Sequence, residues 1–498
     1  MKRIKKILIA NRGEIAVRVM STCREMGIRT VAVFADPDRT SMHVHAADEA
    51  YALEGSKISD TYLNGKKIVS VAQRAGVDAI HPGYGFLSEN ASFAKLVLES
   101  GLVFVGPPPE AIDLLGDKTS ARSLARKLDI PVLEGSPQAF TDENEAMKAA
   151  SSMGFPVLLK AAAGGGGRGI RLVVSESEFT AAFGLSASEA RNAFGDPRIY
   201  LEQFLSHPHH VEIQVLVDHN GNAVSLGERD CSTQRRHQKM IEESPSPVVD
   251  ETLRSKMNDA AVRLMKAAGY QNAGTVEFLV DPQGKFYFLE VNTRLQVEHP
   301  VTEAVTGLDL VKQQILIAAQ NVLAFRQEDV NRKGHAIECR VYAEDPSENF
   351  LPSVGTLRTF EPPLRPCVRV DSGARAGDEV GVHYDPMLAK VTAWGDSRKE
   401  AISRMTGALD DFDVVGVQTT IPFCKFVLEH EAFVQGKHHT QLIDQSFITK
   451  YLEHTSKEGS DAAALIASAL FAMQGPTVSP PARLSPSQWK AARKDHLH

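Results

Sequence analysis

VEFLVDPQGKFYFLEVNTRLQVEHP, residues 276–300, holds two runs rich in β-branched and aromatic residues, 276–280 and 286–292, on either side of Asp281-Pro282-Gln283-Gly284. Asp, Pro and Gly turn a chain back on itself, so the stretch predicts a β-hairpin. Side chains alternate between the faces of a strand, and an even-length connection sets Glu277 on the same face as Glu290 and Asn292. Two carboxylates and an amide then converge, an oxygen-rich set of the kind that shares a hard cation such as Mg²⁺ with substrate phosphates. A solvent-facing hairpin shows the same alternation. What tips the reading toward a site is the sequel, where Arg294, Gln296, Glu298 and His299 crowd charge and hydrogen-bonding groups beside the candidate ligands.

The chain of 498 residues is 43% hydrophobic and 23% charged, with Gly and Pro spread throughout. That is the make-up of a soluble globular protein of roughly two to four domains. A formal net charge of −7 removes the global basic field that nucleic-acid binding uses. No apolar run approaches the ~20 residues of a membrane span, and residues 7–10 are too short for a signal peptide. The expectation is a cytoplasmic protein with neither nucleic acid nor membrane as partner. Cys23, Cys231, Cys339, Cys367 and Cys424 show no CxxC spacing. They read as structural thiols in a reducing compartment rather than a zinc or disulfide framework.

Toward the N-terminus, residues 6–10 read as a buried strand, 11–14 as a turn, 15–26 as a helix stopped by Gly27, and 30–34 as the next strand, a parallel α/β opening. The glycines do not form GxGxxG, so Asn11 to Glu14 is given to packing rather than to a dinucleotide. Residues 79–86 run from strand into a glycine-rich turn, followed by a helix to Glu99 and a strand at 103–105. Gly116-Asp117-Lys118-Thr119 lacks the GxxxxGK[ST] spacing of a phosphate loop, yet a helix over 118–128 can present Lys118 to a site. Strands at 155–161 and 170–174 flank Gly164-Gly165-Gly166-Gly167-Arg168-Gly169. Successive glycines let backbone N–H groups approach an anion, and Lys160 adds a point charge. Residues 199–205 suit the lining of an adenine pocket. In the strand 209–215 His209 and His210 face opposite ways, one of them inward as a ligand contact. Residues 229–239, RDCSTQRRHQK, are expected as an anion-binding loop.

Beyond a helix over 251–268 stopped by Gly269 come the hairpin and a helix over 308–320. A β-rich region opens at 335–342, with Arg340 and Glu338 on one alternating strand, and a helix over 398–412 closes the compact part near residue 445. From Tyr451 the composition shifts, with a short Ala-rich helix expected at 461–473 and a linker at 475–481.

IANRGEIAVRV (9–19), HPGYGFLSEN (81–90), GGGGRGIR (164–171), HVEIQV (210–215), ERDCSTQRRHQKMIEE (228–243), EVNTRLQVEHPVTE (290–303) and GHAIECRVYAEDP (334–346) occur in this order. With them, residues 1 to about 445 resemble the biotin carboxylases, ATP-grasp enzymes of the biotin-dependent carboxylases. The resemblance implies an α/β fold in parts. These are an N-terminal parallel α/β (pre-ATP-grasp) domain over 1–115, an ATP-grasp domain over 116–330 with a mobile glycine-rich lid over about 131–205, and an α+β C-terminal domain over 331–445. The tail, 446–498, is expected as partly helical or flexible. The implied reaction is ATP- and bicarbonate-dependent carboxylation of biotin through carboxyphosphate, giving N1-carboxybiotin, ADP and phosphate.

Residue by residue, the resemblance assigns Lys118, Lys160, Gly165, Gly166, Glu202, Leu205, His210, Gln234, His237 and Leu279 to ATP. Glu277 and Glu290, with Asn292 adjacent, are assigned to two Mg²⁺ or Mn²⁺ ions. Lys239, Arg294, Gln296 and Val297 fall to bicarbonate, Glu298 to its general base, and Arg340 to the biotin ureido group. Carboxylases of this class also need a biotinylated lysine in an Ala-Met-Lys-Met hairpin. Ala146-Met147-Lys148-Ala149 lacks the second Met and lies in a helical pattern. Biotin is therefore expected on a separate carboxyl carrier protein, with carboxyltransferase subunits as further partners and a homodimer as the implied state. The alternatives are another ATP-grasp ligase, of carboxylate–amine or carbamoyl-phosphate type, and a non-catalytic nucleotide-binding scaffold protein.

Overall fold

The computed structural model describes residues 4–136, 138–162 and 170–456, and the chain divides into two units, Met1–Asp444 and Gln445–His498. In the second, residues 445–456 are helical. The glycine run that includes Gly165 and Gly166, the Ala-rich piece and the linker lie outside the described residues.

The first unit opens on a five-stranded parallel sheet in the order Glu49–Ala52, Arg29–Phe34, Lys6–Ile9, Ala79–His81, Val103–Phe104. Its central strand is apolar on both faces. Ile7 and Ile9 join the core that holds Ile15 and Val19 of the helix Gly13–Glu25, while Leu8 joins the core that holds Ile68 and Ala72 of Gly65–Ala75. Coverage on both faces is what a parallel sheet requires. The Asn11 turn packs as expected, Asn11 Nδ2 donating to the carbonyls of Pro82 (2.7 Å) and Tyr84 (2.8 Å).

An eight-stranded sheet, antiparallel at every pairing, runs Phe286–Asn292, Asn272–Val280, His209–Val217, Ala223–Arg235, Gln238–Ser244, His335–Tyr342, Met387–Gly395, Val368–Ser372. The strands that open the β-rich region thus extend the sheet that carries the hairpin. A smaller antiparallel sheet, Ile170–Val173, Val157–Ala161, Ile199–Gln203, packs under the helices Glu143–Met153 and Glu176–Phe194. It has its own core around Leu159, Phe179, Phe183 and Leu201.

The structure corrects the expectation for the charged run. Residues 229–239 are not a loop. They end the strand Ala223–Arg235, turn at Arg236 and His237, both left-handed, and begin the strand Gln238–Ser244. Charged residues are costly in a buried strand unless paired, and here they are paired within the sheet, Arg229 with Glu212 and Asp230 with His209 and His438.

Candidate active site

One register shift builds the site. In the hairpin Val280 stands opposite Phe286 and Phe278 opposite Phe288, so a regular ladder sets Leu289 against Glu277. The shift between Glu277 and Phe278 instead brings Glu290 opposite Glu277 and Asn292 opposite Thr275. A bulge of this kind re-aims side chains beside functional sites; the even-length connection of the sequence reading is absent, and the bulge delivers the same convergence. Glu277 also pairs with Glu212 of the next strand, and Glu212 with Arg229 of the one after. Cross-strand partners share a face, so Glu290, Glu277, Glu212 and Arg229 form one row across four strands.

Adjacent carboxylates repel unless a cation stands between them. Lys239 supplies it, its Nζ donating to Glu298 Oε1 at 2.6 Å, Glu212 Oε2 at 2.7 Å and Glu277 Oε1 at 3.0 Å. Arg229, fully buried, donates to Glu212 Oε1 at 2.5 Å and Gln296 Oε1 at 2.6 Å. Burial alone raises the Glu298 carboxyl, but Lys239, Arg340 and Arg229 outweigh it and hold the group far below the usual carboxylate range. Glu277 is likewise pushed up by burial and drawn well below its ordinary value by Lys239 and His210. Lys239, which burial pushes down, is held well above its ordinary value by the carboxylates.

The loop after the hairpin is fixed at each assigned residue. Arg294 Nε donates to Glu89 Oε2 and its Nη2 to Asn292 Oδ1, each at 2.9 Å. Gln296 Nε2 donates to Glu277 Oε1 at 2.7 Å. The Val297 carbonyl accepts from Lys390 Nζ at 2.7 Å. Arg340 reaches the loop from its own strand, Nη2 donating to Glu298 Oε2 at 2.9 Å while Nε donates to Glu242 Oε1 at 2.6 Å.

Of the residues assigned to ATP, His210, Gln234, Leu279 and Lys118 adjoin this row. His210 Nε2 donates to Glu277 Oε2 at 2.8 Å, Gln234 Nε2 donates to His210 Nδ1 at 2.6 Å, and Leu279 stands opposite His210 in the ladder. His209, on the other face, lies toward Asp230, as the alternation predicts. Glu202 is buried and binds both Lys160 and Arg122, the latter at 2.7 Å. His237 is exposed on its turn, and Leu205 is half-buried where the smaller sheet returns to the larger. Lys118 opens its helix, Lys118–Lys127, with Nζ 3.0 Å from Glu290 Oε2. The two line a cavity of about 450 Å³ together with Glu89, Asp117 and Asn292.

Glu277 and Glu290, opposite one another in the ladder, are an all-oxygen donor pair, and Glu290 opens on that cavity beside Lys118. This chemistry fits a hard divalent cation that also meets phosphate. Asn292 turns Nδ2 to Glu277 Oε1 at 2.7 Å and Oδ1 to Arg294, so it ties that carboxylate to the loop after the hairpin.

Sequence reasoning gave no role to Glu212, Glu242 or Glu89, and it placed Arg229 in an anion-binding loop rather than in the buried row. Glu212 had a signal, since it lies two residues after His210 and must share its face. Glu89 had none, being brought to Arg294 from 205 residues away.

Comparison with known proteins agrees along the chain. Residues 3–112 match the family model for the biotin carboxylase N-terminal domain, 117–325 that for the ATP-binding domain of the carbamoyl-phosphate synthase L chain, and 338–445 that for the biotin carboxylase C-terminal domain. Biotin carboxylase 1 of Bacillus subtilis is 51% identical over 442 residues, 89% of this chain and 98% of that protein. The biotin carboxylase of Halalkalibacterium halodurans is 48% identical over 449 residues, 90% of this chain and 98% of that protein. The biotin carboxylase domain dimer of Hydrogenobacter thermophilus 2-oxoglutarate carboxylase, solved with MgADP, ADP and bicarbonate, superposes with a TM-score of 0.86 at 44% identity, covering 89% of this chain and 98% of that one. With the bulged hairpin, the charged row and the loop that follows it all in place, this chain belongs to the biotin carboxylase family.

Proposed function

We propose that this chain carboxylates biotin on a separate carrier protein, consuming ATP and bicarbonate and releasing ADP and phosphate by way of carboxyphosphate. The observation that carries the reading is the meeting of Lys239 and Arg340 on the two oxygens of Glu298. One cation also binds Glu212 and Glu277 of the charged row and the other comes from the strand that carries the residue assigned to biotin, so a base is held where the two half-reactions meet.

Bicarbonate takes its place among Lys239, Arg294, Gln296 and Val297. As the anion draws Lys239 toward itself, Glu298 loses part of the charge that suppresses its basicity and accepts the bicarbonate proton. The freed oxygen attacks the γ-phosphate while Lys118 and Lys160 steady the nucleotide's charge, a transfer that runs on positioning and charge neutralisation. Glu277 and Glu290 would hold Mg²⁺, which when bound neutralises phosphate charge. Carboxyphosphate then yields CO₂ and phosphate, the phosphate takes the biotin N1 proton, Arg340 steadies the negative oxygen of the ureido group, and N1 bonds to the carbon of CO₂ to give N1-carboxybiotin. Glu242, fixed on Arg340 Nε, keeps the guanidinium facing that oxygen.

Lys148 supports a separate carrier, because it lies within the helix Glu143–Met153 beside fully buried Ala146 rather than at a hairpin tip. A carrier protein, a carboxyltransferase that selects the final acceptor and a second copy of this chain complete the proposed assembly; the dimer of the 2-oxoglutarate carboxylase domain supports the last. The division of the first unit near residues 115 and 330 belongs to the same proposal. The middle family model also bears the name of carbamoyl-phosphate synthase, and the test separates that chemistry. ATP cleavage measured with bicarbonate is expected to rise with free biotin. Stimulation by an amine and none by biotin contradicts the proposal.

A further inference from the structure

Lys390 lies on the strand Met387–Gly395, fully buried, and the chemistry above leaves it without a task. In the sheet it stands directly opposite Arg340 on one side and Asp371 on the other. Ladder partners share a face, so Arg340 and Lys390 project side by side toward the loop that carries Glu298. Arg340 takes hold of the side chain at Glu298 Oε2, and Lys390 takes hold of the backbone, Nζ donating at 2.7 Å to the carbonyl of the peptide that joins Val297 to Glu298. Glu298 precedes the helix His299–Thr306 and its side chain makes no capping bond to that helix.

The counter-charge comes from the turn that the sequence reading assigns to packing. Glu14 Oε2 is 3.5 Å from Lys390 Nζ. The turn is itself pinned at Gly373, where a Cβ would come within 2.4 Å of Glu14 N. Burial pushes the Glu14 carboxyl up to about 7 in spite of the nearby ammonium. Lys390 thus joins all three matched segments, touching Glu14 of 3–112 and Val297 of 117–325 from its own place in 338–445. A buried ammonium is costly, and an apolar side chain of equal length fills such a space at least as well. What the charge adds is a fixed place for the 297–298 peptide.

We infer that Lys390 is a positioning residue for Glu298, anchoring its backbone so that the carboxylate meets Lys239 and Arg340, with Glu14 as the counter-ion of the anchor. The inference rests on the reading of Glu298 as the bicarbonate base. Lys390→Met, Glu298→Gln and the double variant Glu14→Gln/Lys390→Met are compared with the unaltered chain in bicarbonate-dependent ATP cleavage and in urea unfolding. Misplacement of a reacting group by about 1 Å costs about 100-fold in rate, so Lys390→Met is expected to lower kcat by that factor with KM for ATP changed by less than about twofold. The double variant removes both buried charges, and it is expected to recover the unfolding midpoint while the rate stays low. Recovery of the rate together with the fold reduces Lys390 to charge balance and overturns the inference. A Lys390→Met enzyme at wild-type rate beside an inactive Glu298→Gln overturns it as well, whereas wild-type rate in Glu298→Gln overturns the base reading itself.

Discussion

Lys239 Nζ lies 2.6 Å from Glu298 Oε1, and the same nitrogen bonds Glu212 and Glu277, so one ammonium bridges three buried carboxylates. Lys239→Met leaves them without it. Breaking a buried pair by removing one partner costs about 3–5 kcal/mol. The sign with pH follows from Glu277 and Glu298. Both are held below their ordinary value, so the stability they contribute is present above the ordinary carboxylate range and lost as pH falls through it. Urea unfolding is expected to show Lys239→Met far less stable than wild type at pH about 7.5 and the gap narrowing below pH about 4.5, near the ordinary glutamate value. A gap that does not vary with pH contradicts the charge argument.

Arg229 donates to Glu212, Gln214, Thr275, Gln296 and Thr302, all in the buried centre of the site. Arg229→Met removes the donor that holds Gln296 Oε1, so the variant is expected to unfold about 3–5 kcal/mol more easily. Its KM for bicarbonate is expected to rise more than its KM for ATP. Equal effects on both substrates contradict the placement of Gln296 at bicarbonate.

His81 is locked as a neutral ring, its Nδ1 accepting from Gly83 N at 3.0 Å and its Nε2 meeting Gln314 Oε1 at 3.2 Å. Burial pushes it down to about 4 from 6.5. Below the unfolded value the denatured chain binds a proton that the folded chain refuses until about pH 4, so stability falls as pH drops across that window. The slope is at most about 1.4 kcal/mol per pH unit. His81→Asn keeps an acceptor for Gly83 and removes the titration. Its urea midpoint is expected to vary less than that of wild type between pH about 6.5 and about 4.5, the window in which an ordinary histidine takes up its proton, and an unchanged slope contradicts the assignment.

The alternation of 276–280 and 286–292 is enough to predict the hairpin, because period-two patterning and a turn containing Pro and Gly are local signals, but a regular ladder on it sets Leu289, not Glu290, against Glu277. The bulge that brings Glu290 there lies between Glu277 and Phe278, on a strand that pairs with His209–Val217 without a shift, and the alternation carries no signal for it. The run 229–239 misleads because charge density alone does not distinguish a solvated loop from a strand whose charges are paired across a sheet, as Arg229 and Glu212 are. Lys148 is legible, as the helical pattern about it appears as the helix Glu143–Met153. Glu89 and Lys390 reach the loop at 293–298 across long stretches of chain, and no spacing in the sequence encodes such a contact.

The central claim is that bicarbonate attacks the γ-phosphate of ATP in the site closed by Glu298. Bicarbonate labelled with ¹⁸O, incubated with the chain, ATP, Mg²⁺ and biotin, tests it through the mass of the phosphate released. Attack by bicarbonate leaves the new P–O bond intact when CO₂ departs, so the account predicts one labelled oxygen per phosphate, and loss of that product in Glu298→Gln. Phosphate free of label, formed at the same rate, means that water cleaves the nucleotide and contradicts the account.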